Sequence, residues 1–233
     1  MPLLMRSLRM TALCVAIAAG AFGVACARSN DSTGKEAAAT GAPTSDAGAP
    51  EGDSLTMRAD RARIQGDSAA RVWIVEVSDF QCPYCRTWHD STYPALVREY
   101  VQTGKARLAY VNLPLPSHRN AWPAAEAAMC SGIQGKFWPM HDRIFSTQDR
   151  WAGLADPAPF FDSLATAAGI DATRMRACVA ARTTRALIQA DFDRSFAAGI
   201  NSTPNFIIGD QRLEGAQPIE AFRRAIDAAL AKR

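Results

Sequence analysis

Apolar and polar positions along this chain switch between two periods. Residues 72–80 (VWIVEVSDF) form a continuous apolar, β-branched run, the pattern of a central strand covered on both faces, broken only by Glu76. After it, Trp88, Leu96, Val97 and Tyr100 recur at helical spacing up to Gly104, with Pro94 placed to kink the helix. Residues 106–113 (ARLAYVNL) predict a second strand, ended by Pro114 and Pro116. Consecutive helices are then predicted over 120–133, 136–145, 157–168, 171–181 and 184–198. In the last of these Ile188, Phe192 and Phe196 recur every four residues, and Gly199 supplies the stop. The period returns to two at 205–208 and 212–214, with Gly209-Asp210 as the hairpin turn between them. Pro218 opens a final helix that places Ile219, Phe222, Ile226 and Leu230 on one face. The order is β, α, β, a helical block, β, β, α, which reads as an α/β domain.

The N-terminus has a different character. Arg6 and Arg9 precede an uncharged run over 10–24 and then small residues, so 1–27 reads as an export signal. Two cleavage schemes fit. Ala25-Cys26-Ala27 leaves Arg28 first, whereas Gly23-Val24-Ala25-Cys26 is a lipobox without its usual Leu that would make Cys26 the lipidated first residue. An uncleaved anchor is the third reading, for which the run is short. Residues 28–55 are almost wholly Ser, Thr, Gly, Ala, Pro and acid and read as a flexible tether, leaving 56–233 as the folded domain. No later apolar run nears the roughly 20 residues that a bilayer requires.

Composition changes this picture little. Hydrophobic residues make up 48% and charged residues 21%, enough for a core, and the net charge of +3 is too slight and dispersed for a nucleic-acid footprint. Neither a G-x-G-x-x-G fingerprint nor a P-loop is present, so no cofactor is expected.

The cysteines carry the candidate chemistry. Under both cleavage schemes Cys14 and Cys26 leave the pool of free thiols, and four remain: Cys82, Cys85, Cys130 and Cys178. An even number suits an oxidising compartment. Cys82 and Cys85 form a C-x-x-C pair at a predicted strand-to-helix junction. There the unpaired N–H groups and the positive end of the helix dipole favour a thiolate at Cys82. Cys82 is then the attacking and leaving sulfur, and Cys85, one turn further in, the resolving one. No second C-x-x-C or His pair completes a zinc site, and no metal is expected. Parity leaves Cys130 and Cys178 for each other as a structural disulfide; two buried free thiols are the alternative.

The segment VWIVEVSDFQCPYC, the helical block and the late stretch GINSTPNF resemble the DsbA-like branch of the thioredoxin superfamily, as do LPLPSH and FWPMHD. The resemblance covers nearly the whole domain. It implies a thioredoxin fold with a helical insertion over about 117–200, between the second and third core strands. It also implies that Pro204 is a cis-proline facing the active-site cysteines, with Thr203 outward as an edge for an extended substrate. Pro83 and Tyr84 would complete the substrate-binding surface. In similar chains the position of Glu76 holds a buried acid, able to take the proton that Cys85 loses; the alternative is a glutamate neutralised by Arg71 or Arg107 at a sheet edge. His89, His118 and His141 read as structural or surface residues, and the five tryptophans as core or groove material.

The expected activity is exported thiol-disulfide exchange with cysteine-containing exported proteins. Disulfide donation is the favoured direction, with a membrane redox partner resetting the pair and a monomer as the working form. The expected compartment is the periplasm or cell envelope. A reductase of the same fold, a peptide-binding chaperone and a metallochaperone remain as alternatives.

Overall fold

The computed structural model describes residues 54–232. The expected export signal, Cys26 and the tether as far as residue 53 lie outside the described residues. Leu55, expected at the end of the tether, is instead the first residue of helix α1 (Leu55–Ala62), whose first turn is capped by the Ser54 hydroxyl accepting from the Met57 N–H at 3.2 Å. A two-residue strand, β1 (Ile64–Gln65), follows. Neither element was expected, because α1 is rich in charge and β1 is too short to show a period.

The remaining elements are β2 (Val72–Ser78), α2 (Pro83–Ser91), α3 (Tyr93–Leu96), β3 (Ala106–Asn112), α4 (Ala121–Gly132), α5 (Phe137–Ser146), α6 (Gln148–Trp151), α7 (Ala158–Ala167), α8 (Ala172–Ala180), α9 (Arg185–Ala197), β4 (Asn205–Ile208), β5 (Gln211–Glu214) and α10 (Ile219–Ala231). The helix after the cysteines breaks around Pro94: α2 ends at Ser91, α3 restarts at Tyr93, and Val97–Val101 forms a π turn. The sheet order is β1-β3-β2-β4-β5, with β2 parallel to β3 and the other pairs antiparallel. This is a thioredoxin-type α/β fold, and helices α4 to α9 form the insertion between the second and third core strands.

One face of the sheet presents Ile74, Leu108, Phe206 and Ile208 to Trp88, Leu96, Phe222 and Ile226. Trp88 is wholly buried, with ring centroids 4.5 Å from Phe206 and 5.7 Å from both Tyr93 and Phe222. Truncating such a side chain costs about 3–5 kcal/mol. On the opposite face Val77, Leu113 and Ile200 pack with Val75, Val111 and Phe192, and cover is incomplete. Trp73, expected in the core or groove, is 38% exposed, with the Arg107 guanidinium 4.4 Å above its ring.

The insertion has its own centre, where the alanine-rich α4 lets Met129, Phe137, Ile144, Trp151 and Phe161 approach closely. A disulfide joins Cys130 to Cys178, tying α4 to α8 with a Cα–Cα distance of 5.8 Å. Helix α9 differs from expectation. Its buried face is Ile188, Asp191 and Ser195, while Phe196 stands 43% exposed and stacks on Phe192 at 4.6 Å. Asp191 takes the inward place because it answers donors that would otherwise be orphaned: the Arg63 guanidinium, the Asn112 N–H at 3.1 Å and the Asn112 amide at 3.0 Å. This bonded carboxylate ties the insertion to β3 and to the end of α1.

Candidate active site

Four residues, Asp79 to Cys82, carry the chain from β2 into α2, and their geometry rests on Asp79. Its carbonyl accepts from the Cys82 N–H at 3.0 Å, and its Oδ1 from the Gln81 N–H at 2.7 Å. Its Oδ2 accepts from the Leu115 N–H at 2.8 Å and lies 2.7 Å from His118 Nδ1. The insertion grips the same turn. Gln148 donates to the carbonyls of Phe80 at 2.7 Å and Cys82 at 2.9 Å. Gln81 accepts from the Asn120 N–H at 2.7 Å and donates to the Ala152 carbonyl at 3.0 Å. Of these polar partners only His118 was singled out from the sequence, as a structural or surface residue. The only available signal was a polar pair, Asp79 and Gln81, between an apolar strand and the cysteines.

Cys82 is the N-cap residue of α2, and Pro83 occupies the first turn, where its missing N–H has no intrahelical partner to lose. Both Cys82 and Cys85 are free thiols, with 4% and 0% exposure. Tyr84 between them is 67% exposed. Cys82 Sγ donates to the Thr203 carbonyl at 3.4 Å, and the Thr203–Pro204 bond is cis. The Thr203 carbonyl is therefore turned onto the sulfur rather than outward. Pro204 is buried beside it.

The two thiols are strongly unequal. The Cys85 thiol, hydrogen-bonded to Cys82, is the largest influence holding Cys82 at about 6; burial opposes it, and the Thr203 side chain and the backbone N–H groups of Cys85 and Tyr84 add to it. The sequence pointed to the helix terminus as the main influence. A single thiol proton aimed at the sulfur outweighs it, because the helix's positive end is spread over several N–H groups. Burial pushes Cys85 well above its ordinary value, and the neighbouring Cys82 sulfur pushes it further.

Glu76 is fully buried in the central strand, and neither carboxyl oxygen has a hydrogen-bond partner. Neither arginine weighed as its neutraliser performs that role, since Arg107 pairs in register with Trp73, on the opposite face of the sheet. Burial raises Glu76 to about 8, offset in small part by Ser78 and His89.

The histidines are more organised than expected. His141 Nδ1 lies 2.8 Å and His89 Nε2 3.4 Å from Asp142 Oδ1. These three side chains have their ligand atoms within 4.8 Å of one another, enough to offer a cation two imidazole nitrogens and one carboxylate oxygen. The same atoms are already committed to one another by hydrogen bonds. Burial holds His141 neutral, at about 4. His118 is raised, first by its bond to Asp79.

Comparisons with known proteins agree with this geometry. The chain is 34% identical over 175 residues to the Na(+)/H(+) antiporter NhaA 3 of Salinispora tropica, covering 74% of this chain and 25% of that protein. It is 36% identical over 86 residues to the probable disulfide bond formation protein D of Bacillus anthracis, covering 36% of this chain and 40% of that one. The chain thus spans a quarter to two fifths of the length of these relatives. The crystal structure of oxidised BdbD from Bacillus subtilis superimposes with a TM-score of 0.67 at 20% identity, over 72% of this chain and 92% of that one, a likeness of fold. The family model described as Thioredoxin matches residues 58–228. With the cysteine pair at the strand-to-helix turn, a cis-proline facing it and a helical insertion in the sheet, the chain belongs to the thioredoxin family.

Proposed function

We propose that this protein is an exported thiol-disulfide oxidoreductase that donates its Cys82–Cys85 disulfide to cysteine pairs of other exported proteins. One observation carries the reading: two free thiols one helical turn apart, the outer at a helix N-terminus against the cis-proline loop and the inner fully buried. The printed name of the Bacillus relative, a disulfide bond formation protein, points the same way. Antiport is not carried over, since the match spans only a quarter of that relative.

In the forward reaction a substrate thiolate attacks Cys82 Sγ, and the Cys82–Cys85 bond breaks. Cys85 leaves with the electron pair and takes a proton from Glu76. A second substrate thiolate then attacks the substrate sulfur of the mixed disulfide, and Cys82 leaves as the stable thiolate. Stabilising the Cys82 thiolate stabilises the reduced enzyme, which makes its disulfide the stronger oxidant. Pro83, Tyr84, Thr203 and Pro204 form the surface that meets the substrate chain. Release of the Cys82 thiol from the Thr203 carbonyl, on oxidation, frees that acceptor for an extended peptide. The protein acts as a monomer in the periplasm or cell envelope, where a membrane redox partner restores the disulfide, and lipid at Cys26 is one means of holding it there.

The test is the equilibrium reduction potential of Cys82–Cys85 in glutathione buffers. A value nearer to about −120 mV than to about −270 mV supports the donor; a value at the thioredoxin end makes the protein a reductase. Absence of a reversible couple removes the enzyme reading.

A further inference from the structure

Beneath Cys85 lies a group of buried polar atoms without hydrogen-bond partners: both carboxyl oxygens of Glu76, Ser78 Oγ, the Tyr110 hydroxyl and His141 Nε2. They belong to one neighbourhood. Glu76 and Tyr110 are opposite residues in the β2–β3 register, and Ser78 is the next residue on the same face of β2. The His141 ring stands edge-on to Tyr110 with centroids 5.3 Å apart. Each orphaned atom of this kind costs about 1–3 kcal/mol, so a cluster of them in a well-packed core calls for a reason beyond stability.

From His141 outward the groups form a continuous hydrogen-bonded series. His141 Nδ1 is 2.8 Å from Asp142 Oδ1, and that oxygen is 3.4 Å from His89 Nε2. His89 Nδ1 lies 3.0 Å from Asp90 Oδ1. The Asp142 side chain is 51% exposed. With His89, Tyr93 and Trp138 it lines an open cavity of about 600 Å³. The series thus begins at orphaned atoms beside Glu76 and ends in solvent.

We propose that His141, Asp142 and His89 form a proton relay through which the proton exchanged between Cys85 and Glu76 passes between the interior and solvent. The proposal rests on the exchange chemistry assigned above to Cys82, Cys85 and Glu76. When Cys85 resolves a mixed disulfide, its thiol proton goes to Glu76, its sulfur bonds to Cys82 Sγ, and the substrate leaves with the electron pair. Glu76 then returns to its carboxylate by passing the proton to His141 Nε2, across an internal water for which the orphaned atoms are the partners. His141 gives up its Nδ1 proton to Asp142, which delivers it to the cavity. In disulfide donation the same path runs inward. One proton moves per half-cycle, and no electrons travel along the relay.

Burial keeps His141 neutral, as a group that takes a proton on one nitrogen and gives one from the other must be. Burial disfavours a charge on His89, yet its bonds to Asp142 and Asp90 raise it above its ordinary value; against the upward push of burial, the bonds from His141 and His89 hold the Asp142 carboxyl well below the usual carboxylate range, so that Asp142 passes a proton on to water and does not keep it. The groups facing Glu76 are Ser78 on its own strand, Tyr110 on β3, His89 on α2, Tyr93 on α3 and Asp142 on α5, with His141 set against Tyr110.

The test uses the full chain, oxidised at Cys82–Cys85, mixed rapidly with reduced glutathione in H2O and in D2O. Asp142→Asn is the first variant, because its partly exposed side chain can change without opening the core; His141→Gln is the second. The expected result is exchange slowed about tenfold in Asp142→Asn, with the solvent isotope effect enlarged and the rate restored by added imidazole. The equilibrium constant with glutathione should stay within about twofold, since a relay alters rates in both directions alike. Wild-type rates in both variants, while Glu76→Gln is slow, would overturn the relay and leave the role of Glu76 intact. Slow variants that imidazole does not rescue and whose equilibrium constant has moved would overturn it in favour of a packing role. Failure of the wild type to exchange with glutathione would remove the underlying reading as well.

Discussion

The two cysteine pairs of this protein show how far placement on a helix decides what a sulfur does. Cys130 and Cys178 lie in the last turns of α4 and α8, where the helix dipole is negative and thiolates are disfavoured, and they are joined in a disulfide. Cys82 caps the start of α2, where N–H groups point at its sulfur, and Cys85 lies one turn inside; both are thiols. The insertion thus places a closed, structural pair beside the open pair of the core. It also holds the open pair in position, through Gln148, Asn120 and the backbone around Ala152.

The sharpest way to break this contrast is to remove one sulfur from each pair. Cys82→Ser should abolish exchange with glutathione and with a reduced, unfolded substrate, whereas a Cys130→Ala/Cys178→Ala double variant should keep both rates. That double variant should instead lose stability. A bond closing a loop with a sequence separation of 48 contributes about 4 kcal/mol on the chain-entropy model, readable as a lower denaturant midpoint. An unchanged midpoint would mean that the insertion holds without its bond.

Glu76→Gln should slow exchange about tenfold, by leaving Cys85 without its proton partner. The same variant has a stability signature of known sign. The folded protein retains a proton on Glu76 up to about pH 8, while the unfolded chain releases it near 4.5, so wild-type stability falls as pH rises through that window. Between pH 4.5 and 7 the fall should be on the order of 3 kcal/mol for this one group, and the glutamine variant should not show it. Urea unfolding at the two pH values measures the difference.

The smallest effect concerns the Cys82 thiolate. Its alkylation rate should rise with pH around a midpoint near 6, because the thiol below that pH is protonated and unreactive. Cys85→Ala removes the donor that contributes most to that low value, and the midpoint should move up by about one unit. A midpoint that stays put would return the leading role to the helix terminus.

Much of the fold was legible in the chain because its elements carry local signals. The apolar run of β2, the Pro94 break and the Gly209 turn each follow from a handful of neighbouring residues. The C-x-x-C pair of Cys82 and Cys85 was legible for the same reason, whereas Thr203 and Pro204 were reached only through the resemblance of their segment to a known family. What escaped were residues whose role depends on distant partners. Asp191 interrupts an apolar helical face and looks unsuited to burial, until Arg63 and Asn112 are placed against it. His141 reads as a structural or surface residue beside Asp142, and only the folded structure pairs Glu76 with Tyr110 and sets the Tyr110 ring against His141.

The sequence by itself determined the strand-to-helix placement of the C-x-x-C pair and the order of the elements. Propensity, capping and periodicity act over a few residues and need no partner. Only the tertiary structure decided how acidic each thiol is, whether Glu76 is buried or neutralised, and which groups connect it to solvent. Those properties depend on loss of water and on charges brought together from positions far apart in the chain, and both exist only once the core has closed.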